Sequence, residues 1–263
     1  MYPSKTINFL AHIGRYFLGG LAEIGRVILF IFEVLKSAFT PPVYFSLIFR
    51  QMLHIGYFSL PVVGLTAIFT GAALSQQIFV GTSRFNAESA VAGVTVIAIV
   101  RELGPVLAGL MVAGRVSSAM AAEIGTMRVS EQIDALVTLS TNPFKYLIVP
   151  RVWASILMLP LLVIVANIIG VFGGFLIGTG KLGFNPGSYL QVTVEYLELT
   201  DIHSSLVKAA VFGFILAIMG CYQGFKSAGG AAGVGAATTN AVVTSFILIL
   251  LANLIITVNV FGS

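Results

Sequence analysis

The sequence predicts an all-α integral membrane protein. Of its 263 residues, 57% are apolar and only 9% are charged, and the mean hydropathy is +1.00. Soluble domains typically carry about 25% charged residues, so this chain has too few charges to build a water-facing surface. Several apolar runs also reach the roughly 20 residues that a helix needs to cross the bilayer core. The pattern indicates one domain over residues 1–263, with an interfacial amphipathic helix followed by five transmembrane helices.

Residues 1–40 are predicted to form the interfacial helix. At 100° per residue its polar side chains share a sector of roughly 140°, and apolar side chains occupy the remainder. The polar positions are Lys5, Asn8, His12, Arg15, Glu23, Arg26, Glu33 and Lys36. A first transmembrane span is the alternative, but the five charges from Arg15 to Lys36 disfavour it because charges are costly at the centre of a span. Pro41 and Pro42 are expected to end the helix.

Five further apolar segments are the predicted transmembrane spans. They cover residues 55–80, 89–113, 152–179, 204–222 and 241–260. Pro61 predicts a kink in the first span, and Gly170, Gly174 and Gly178 in the third form two GxxxG steps, which favour close helix packing. The Gly-rich stretch from Gly229 to Ala237 lacks the GK[ST] ending of a phosphate-binding loop, so we interpret it as a tight cytoplasmic turn.

The positive charges orient the chain. With the N-terminus in the cytoplasm, ten of the fourteen Lys and Arg residues lie on the cytoplasmic side, which is the bias that the positive-inside rule describes. They are Lys5, Arg15, Arg26, Lys36, Arg50, Arg115, Arg128, Lys145, Arg151 and Lys226. Five spans then place the C-terminus outside. The lone cysteine, Cys221, excludes an internal disulfide, and the three histidines have no metal-ligand spacing, so no metal site is predicted.

An adjacent Arg101–Glu102 pair inside the second apolar run is the sharpest polar signal. A charged residue at the centre of a span costs about 2.5–3.5 kcal/mol on insertion scales, so other groups should offset it. Pro105 lacks the N–H that would bond to the carbonyl of Arg101, and we expect that carbonyl, the guanidinium and the carboxylate to cluster at a kink. A structural ion pair is one interpretation, and a polar hinge or relay is the other. Lys208 lies near a span end, where it could simply extend to the interface.

Residues 119–136 are too polar to remain in lipid and are expected to form a cytoplasmic helix between two spans. One face of that helix would carry Glu123, Met127, Glu131 and Asp134, and the other would carry Val129, Ile133 and Leu136. An acidic face with a methionine suits docking to a soluble partner. An ordinary solvated helix is the alternative interpretation.

Three motifs carry a resemblance to a known family. The stretches RELGPVLAGLMVAGR, AAEIGTMRVSEQIDAL with the NPFKYLIVPR that follows it, and GVGAATTNAVV resemble the MlaE/YrbE permease family. The likeness extends over nearly the whole chain. It implies the non-catalytic membrane subunit of an ABC transporter that moves phospholipid between the inner and outer membranes of Gram-negative bacteria and maintains outer-membrane lipid asymmetry.

The resemblance also implies an assembly. The permease would be a homodimer in the bacterial inner membrane, with its N-terminus cytoplasmic and its C-terminus periplasmic. Each protomer would bind a cytoplasmic MlaF-like ATPase, which uses ATP and magnesium, while this chain itself would bind no cofactor. A periplasmic hexamer of MlaD-like MCE-domain proteins and an MlaB-like STAS-domain protein would complete the complex. No nucleic-acid partner is expected.

The family pattern assigns roles to individual residues. The segment 119–136 would be the coupling helix that binds the ATPase, through Glu123, Met127, Arg128, Glu131 and Asp134. The intramembrane polar residues would be Arg101, Glu102, Lys208 and Asn253, the last standing where relatives carry Asp. A lipid cavity between protomers would be lined by Leu74, Ile78, Phe79 and Phe85, with Arg84 placed to meet a lipid phosphate.

Two other function classes remain open at this level. The first is an ion-coupled secondary transporter of a hydrophobic substrate that uses Arg101–Glu102 as a proton relay. The second is an intramembrane enzyme, which needs a nucleophile and a base in reach of one another. The sequence shows no such constellation.

Overall fold

The computed structural model is helical throughout the residues that it describes, which are 5–42, 44–85 and 87–261. No strand occurs among them, so the all-α prediction is confirmed. Five segments are long and apolar enough to cross a membrane, as the sequence predicts. These segments are Phe45–Phe85, Glu88–Val129, Phe144–Gly180, Leu199–Phe225 and Gly230–Val260.

The N-terminal helix α1 (Lys5–Ala38) is not among the five membrane-crossing segments, and its interfacial position stays a prediction. One edge packs on the protein, where Phe30 and Val34 are buried. Its exposed apolar side chains are Phe17, Leu18, Leu21, Ile24, Ile28, Leu29, Phe32 and Leu35. Residues 1–4 lie outside the described residues, as do the side chains of Lys5, Asn8 and His12 from the predicted polar stripe.

Glu23 attaches α1 to the fourth membrane-crossing helix, α10 (Leu199–Phe225). Its carboxylate accepts a hydrogen bond from the Tyr222 hydroxyl at 2.9 Å and forms ion pairs with Lys226 and Arg26. The Lys226 ammonium, together with the Tyr222 hydroxyl and Arg26, lowers the pKa of Glu23 from its ordinary value of 4.5 to about 2. The carboxylate therefore binds its partners in the ionised form.

The first membrane-crossing segment begins earlier than predicted and is broken near its start. It consists of α2 (Phe45–Gly56), a 3₁₀ turn and α3 (Leu60–Thr82). Pro61 lies in the first turn of α3, where its missing N–H has no intrahelical partner to lose. Arg115 stabilises the break by donating to the carbonyl of His54 at 2.6 Å and to the Ser59 hydroxyl at 3.2 Å.

The second segment is one continuous helix that contains two π-helical turns. Its parts are α4 (Val91–Ala98), α5 (Gly104–Val112) and α6 (Ser118–Val129), with π turns at Ile99–Leu103 and Ala113–Ser117. Such π turns are rare and are often found at functional sites. Each one here carries an arginine, Arg101 or Arg115, that bonds to another helix.

Glycines bring the third segment, which contains α8 (Val149–Gly180), into backbone contact with its neighbours. A Cβ added at Gly71 on α3 would clash with the carbonyl oxygen of Gly170. Gly173 lies in the same way against the carbonyl of Ile68. Gly178, the last residue of the predicted GxxxG pair, lies instead against the ring of Tyr189 on the short helix α9 (Pro186–Glu195).

The prediction of a Gly-rich cytoplasmic turn is wrong for most of its length. The last helix, α11 (Gly230–Phe261), already includes Gly230 to Ala237. The turn is confined to the residues around Gly229, which, like Gly230, has a positive φ that glycine adopts without strain. The alanines continue as helix because they have the highest helix propensity and because small side chains pack closely on neighbours. Ala237 and Ala241 are both buried.

The hydrogen bond and ion pairs of Glu23 are expected to restrict the motion of α1 relative to α10. Glu23→Gln should increase the mobility of a spin label at Ile28, measured by electron paramagnetic resonance at neutral pH. In the unsubstituted protein the same increase should occur only as the pH falls from 4.5 towards 2, because a carboxylate with a lowered pKa stabilises the attachment above its ordinary pKa and loses that effect on protonation.

Glu33→Gln is the matched control for that experiment. Glu33 lies on the same helix and has no side-chain partner among the described residues. Its substitution should leave the mobility unchanged. Equal mobility in the Glu23→Gln variant and the unsubstituted protein would contradict the assigned role of the cluster.

Candidate functional site

Two ion pairs join the second and fourth membrane-crossing segments, and they share the first π turn. Arg101 donates from Nε to Asp201, which is fully buried near the start of α10. Lys208, also on α10 and fully buried, donates from Nζ to Glu102 Oε1 at 2.8 Å. Arg101 and Glu102 are adjacent on the second segment. Their partners, Asp201 and Lys208, lie about two turns apart on the fourth segment.

The last helix completes the shell around Glu102. Asn253 donates from Nδ2 to Oε2 at 2.8 Å, and Thr257 donates from its hydroxyl to Oε1 at 2.9 Å. The carboxylate thus accepts bonds from an ammonium, an amide and a hydroxyl on two different helices. We name the six residues Arg101, Glu102, Asp201, Lys208, Asn253 and Thr257 the polar network.

The carbonyl opposite Pro105 has a partner that the sequence argument did not name. Lys208 donates to the carbonyl oxygen of Arg101 at 2.8 Å. The π turn at Ile99–Leu103 and the proline at the start of α5 leave this oxygen available. An unpaired buried carbonyl would cost about 1–3 kcal/mol, and the ammonium removes that cost.

Lys208 does not extend to the interface, and the prediction that it could is wrong. The helix starts at Leu199, not at residue 204, so Lys208 lies more than two turns inside it. Sequence reasoning also missed Asp201, which lies before the predicted start of the fourth span at residue 204. Two signals point to it: Glu198 and Asp201 form a capping box, and Asp201 and Lys208 are seven residues apart on one helix face.

The charges of the polar network balance. Arg101 and Lys208 are the cations, and Glu102 and Asp201 are the anions. Burying an ion pair requires both good geometry and further hydrogen bonds to satisfy the remaining atoms, and Glu102 has both. The side chain of Glu102 is 38% exposed and that of Arg101 is 29% exposed, whereas their partners are 0% exposed. In each ion pair, the more exposed side chain therefore belongs to the second segment.

The predicted coupling helix is two helices, so the prediction of one continuous helix at 119–136 is wrong. Helix α6 ends at Val129, and α7 (Gln132–Thr138) follows after Glu131, whose φ of 58° is left-handed. The Ser130 hydroxyl donates back to the carbonyl of Thr126 at 2.7 Å and competes with continuation of the helix. Arg128 spans the break by pairing with Asp134 at 2.7 Å.

The break divides the predicted docking face. Glu123 pairs with Arg151 at 2.7 Å, and Met127 packs on the hydrophobic core. Glu131 remains exposed at the turn. Beyond it, Val137 and Leu139 are exposed although they are apolar, and Leu139 is 75% exposed. We name Glu131, Val137 and Leu139 the loop tip.

The predicted lipid wall lies on α3 and in the turn after it. Leu74, Ile78 and Phe79 are half-buried, and the ring of Phe79 lies 5.9 Å from that of Phe184. Arg84 and Phe85 are exposed. Leu74 and Ile78 continue the stripe of Thr66 and Thr70, which borders a cleft between α3, α5 and α8.

That cleft is too small for a lipid within one chain. Its volume is about 20 Å³, which is close to the room that a single water needs. It is bordered on α3 by Val63 and Thr70 and on α5 by Leu107 and Met111. One protomer therefore supplies at most one wall of a lipid-sized cavity on this side. Among the described residues, no group of His, Cys, Asp and Glu side chains is arranged to hold a metal ion.

A family model and several known proteins match this chain. The family model described as "Permease MlaE" matches residues 48–259. The chain belongs to the MlaE permease family. The resemblance drawn from the three motifs is thereby confirmed, and this MlaE-family chain is an ABC transporter permease, a membrane component that spans the bilayer several times.

Individual relatives cover almost all of the permease. A probable ABC transporter permease protein of Rickettsia bellii is 54% identical over 251 residues, or 95% of this chain and 97% of the relative. A probable ABC transporter permease protein of Synechocystis is 43% identical over 78% of each chain. The intermembrane phospholipid transport system permease protein MlaE of Haemophilus influenzae is 31% identical over 98% of this chain and 99% of its own.

Removing one charge of the Glu102–Lys208 pair should destabilise the protein more than removing both charges. Glu102→Gln leaves the Lys208 ammonium buried without a counter-charge, and losing one partner of a buried ion pair costs about 3–5 kcal/mol. Because Glu102 is partly exposed, we expect a loss at or below the lower end of that range, measured by thermal unfolding in detergent. The double variant Glu102→Gln/Lys208→Met removes both charges and should recover most of the lost stability.

Transport separates a structural from a mechanistic role of this pair. If the pair works as a hinge or relay, the double variant should be stable and assembled yet transport poorly. Normal transport by the stable double variant would show that Glu102 and Lys208 only hold the helices together.

Proposed function

We propose that this chain is the permease subunit of an ABC transporter that moves phospholipid between the inner and outer membranes and so maintains the lipid asymmetry of the outer membrane. The observation that carries the proposal is the continuous helical segment Glu88–Val129. It carries Arg101 and Glu102 of the polar network in its first half and leads directly into the loop tip. A change at the tip thereby has a covalent, helical route to the accessible face of Glu102. The name of the full-length Haemophilus influenzae relative supports phospholipid as the cargo.

The proposed energy source is a separate cytoplasmic ATPase that binds ATP and magnesium, while this chain binds neither. Its docking site on this chain is the loop tip. Exposed apolar residues such as Val137 and Leu139 lie beyond the membrane-crossing segments, where lipid cannot cover them, and a protein partner would remove them from water. Glu123, Asp134 and Arg128 already have partners within the chain, so we assign them to positioning the tip.

The proposed lipid cavity lies between two copies of the chain. The 20 Å³ cleft beside α3 cannot hold a lipid alone, and a second protomer facing Leu74 and Ile78 would enclose a larger space. Phe79 and Phe85 would extend the apolar wall towards the periplasm, and Arg84 would pair with the phosphate. Glu102, Asn253 and Thr257 would border the same space from the other helices.

We infer the remaining partners from the resemblance to the MlaE permease family. We propose a periplasmic hexamer of MCE-domain proteins on the side where α9 lies, and a STAS-domain protein bound to the ATPase. The chain would reside in the bacterial inner membrane with its N-terminus in the cytoplasm and its C-terminus in the periplasm. The excess of Lys and Arg on the cytoplasmic side supports this orientation.

The alternative of an ion-coupled secondary transporter has weaker support. A proton relay needs a carboxyl group that gains and loses a proton during the cycle. Both carboxylates of the polar network are already paired with a cation within bonding distance. The network therefore resembles a fixed, charge-balanced joint more than a relay.

The energy source can be tested in vesicles. Permease reconstituted with its co-expressed ATPase should transfer a fluorescent phospholipid to acceptor MCE-domain protein only when ATP and magnesium are present, and vanadate should stop the transfer. Transfer that continues without ATP, or that ignores vanadate but collapses with the proton gradient, would favour the secondary transporter.

The docking site can be tested by co-purification. Glu131→Lys and Leu139→Asp should each reduce the amount of ATPase that co-purifies with the permease, because both change exposed atoms of the loop tip. Glu195→Lys on α9, exposed at the opposite end of the molecule, is the control and should retain the ATPase. Full retention by both loop-tip variants would rule out this docking surface.

A further inference from the structure

The break between α2 and α3 is built as a weak joint. It is the 3₁₀ turn Tyr57–Ser59, which we name the elbow, and a short 3₁₀ stretch between helical residues often marks a hinge. Pro61 weakens the elbow because it has no N–H to donate to the carbonyl of Tyr57, four residues earlier. Gly56 and Ser59 both have right-handed helical dihedral angles. The angle between the two helices can therefore change through small dihedral shifts within one allowed region.

The two helices that meet at the elbow are held to α8 in different ways. α3 contacts α8 through its backbone, since a Cβ added at Gly71 would clash with the carbonyl oxygen of Gly170. Between α2 and α8 there is instead a groove of about 410 Å³. At Gly56 the nearest atoms of α8 belong to the side chain of Met158, and methionine side chains are flexible and adapt their shape. When the elbow bends, α2 is therefore the helix that moves.

Arg115 on the second segment bonds to both sides of the elbow. Its Nη2 donates to the carbonyl oxygen of His54 in the last turn of α2 at 2.6 Å. Its Nε donates to the Ser59 hydroxyl, directly before α3, at 3.2 Å. The last carbonyls of a helix lack intrahelical partners, and a cation near a helix C-terminus is favourable. One guanidinium thus ties the end of α2 to the start of α3, and we name these two bonds the latch.

The latch lies at one end of the cleft beside the predicted lipid wall. Val63 borders this cleft one turn after Ser59 on α3, and Met111 borders it one turn before Arg115 on the second segment. The latch therefore joins the two segments across the end of the cleft that points towards the loop tip. In the proposed orientation, this end lies in the cytoplasmic half of the membrane.

We propose that Arg115 is a positioning residue for lipid transport and that the elbow is a gate at this end of the cleft. While the latch is formed, the end of α2 is bound to the second segment and the cleft is closed. When the latch breaks, α2 rotates about the elbow and the cleft opens to a lipid from the adjoining leaflet. Arg115 acts through α2 and does not contact the lipid. This inference rests on the proposed function, because it gives the elbow a role in phospholipid transport.

Distances between spin labels test the latch without any transport. The only cysteine, Cys221, is removed by Cys221→Ala, and labels are attached at Phe45→Cys on α2 and Phe69→Cys on α3, which are both exposed positions. Double electron–electron resonance on the permease in lipid nanodiscs should give one narrow distance population. Arg115→Met should broaden that population or add a second one, because methionine can form neither bond. Samples with a single label identify distances between protomers.

The role in transport is tested by the number of lipids transferred per ATP hydrolysed, in vesicles that contain the permease and its ATPase. Arg115→Met should retain the ATPase and its hydrolysis of ATP, because the loop tip is unchanged. Its transfer per ATP should fall at least about tenfold, which corresponds to the loss of one charged hydrogen bond. Arg115→Lys keeps the charge and should recover part of the transfer. Arg50→Met removes an exposed arginine from α2 outside the elbow and, as the matched control, should transfer normally.

Each outcome bears on a different part of the proposal. An unchanged distance distribution in Arg115→Met would overturn the latch. Unchanged transfer per ATP, or a parallel loss of ATP hydrolysis, would overturn the gate. If Arg115→Met does not fold, Ser59→Ala takes its place in both experiments, and it should give smaller changes in the same direction because it removes only the longer bond. If the unsubstituted protein transfers no phospholipid, the proposed function and the gate both fail, while the distances still decide whether the latch exists.

Discussion

The ion pair between Glu102 and Lys208 is the interaction on which the intramembrane structure depends. Lys208 is fully buried in α10, and its ammonium is compatible with that position only because a carboxylate and a freed carbonyl both accept from it. The same carboxylate accepts from Asn253 and Thr257 on α11. One buried charge thereby fixes the relative positions of three membrane-crossing segments, and leaving it unpaired would be costly in a medium of low dielectric constant.

The effect of the Glu102–Lys208 ion pair depends on the helical segment to which Glu102 belongs. The segment Glu88–Val129 extends without a break from one end of the bundle to the loop tip at the other end. Its two π turns redirect Arg101 and Arg115 towards other helices while the backbone stays helical. Arg115 holds the break between α2 and α3, and Arg101 holds α10 through Asp201. Side chains of this one segment therefore hold several helices.

The glycine contacts and the apolar grooves describe two kinds of surface on the same bundle. Where Gly71 meets Gly170, backbones touch and no side chain can intervene, so α3 and α8 behave as one unit. On the opposite side of α8, larger side chains and the short helix α9 leave a groove of about 610 Å³. Close packing and open space thus lie on opposite faces of one helix.

The sequence by itself determined the fold class, the number of spans, the N-terminal helix and the family. Each of these depends on local composition, on helical periodicity or on a contiguous motif such as that from Arg101 to Arg115. It also identified Glu102 as unusual, since a charge in an apolar run is visible without coordinates. The availability of the Arg101 carbonyl followed as well, because the effect of Pro105 on the residue four positions earlier is local.

Only the tertiary structure decided which groups meet. Asp201 and Thr257 were assigned no role because a partner 100 or more residues away leaves no local pattern. The break at Glu131 depends on the Arg128–Asp134 pair and on a left-handed backbone that a helical wheel does not predict. The groove beside α8 arises from the placement of α9 across two other helices. Packing between distant segments set all three, and periodicity along the chain carries no information about it.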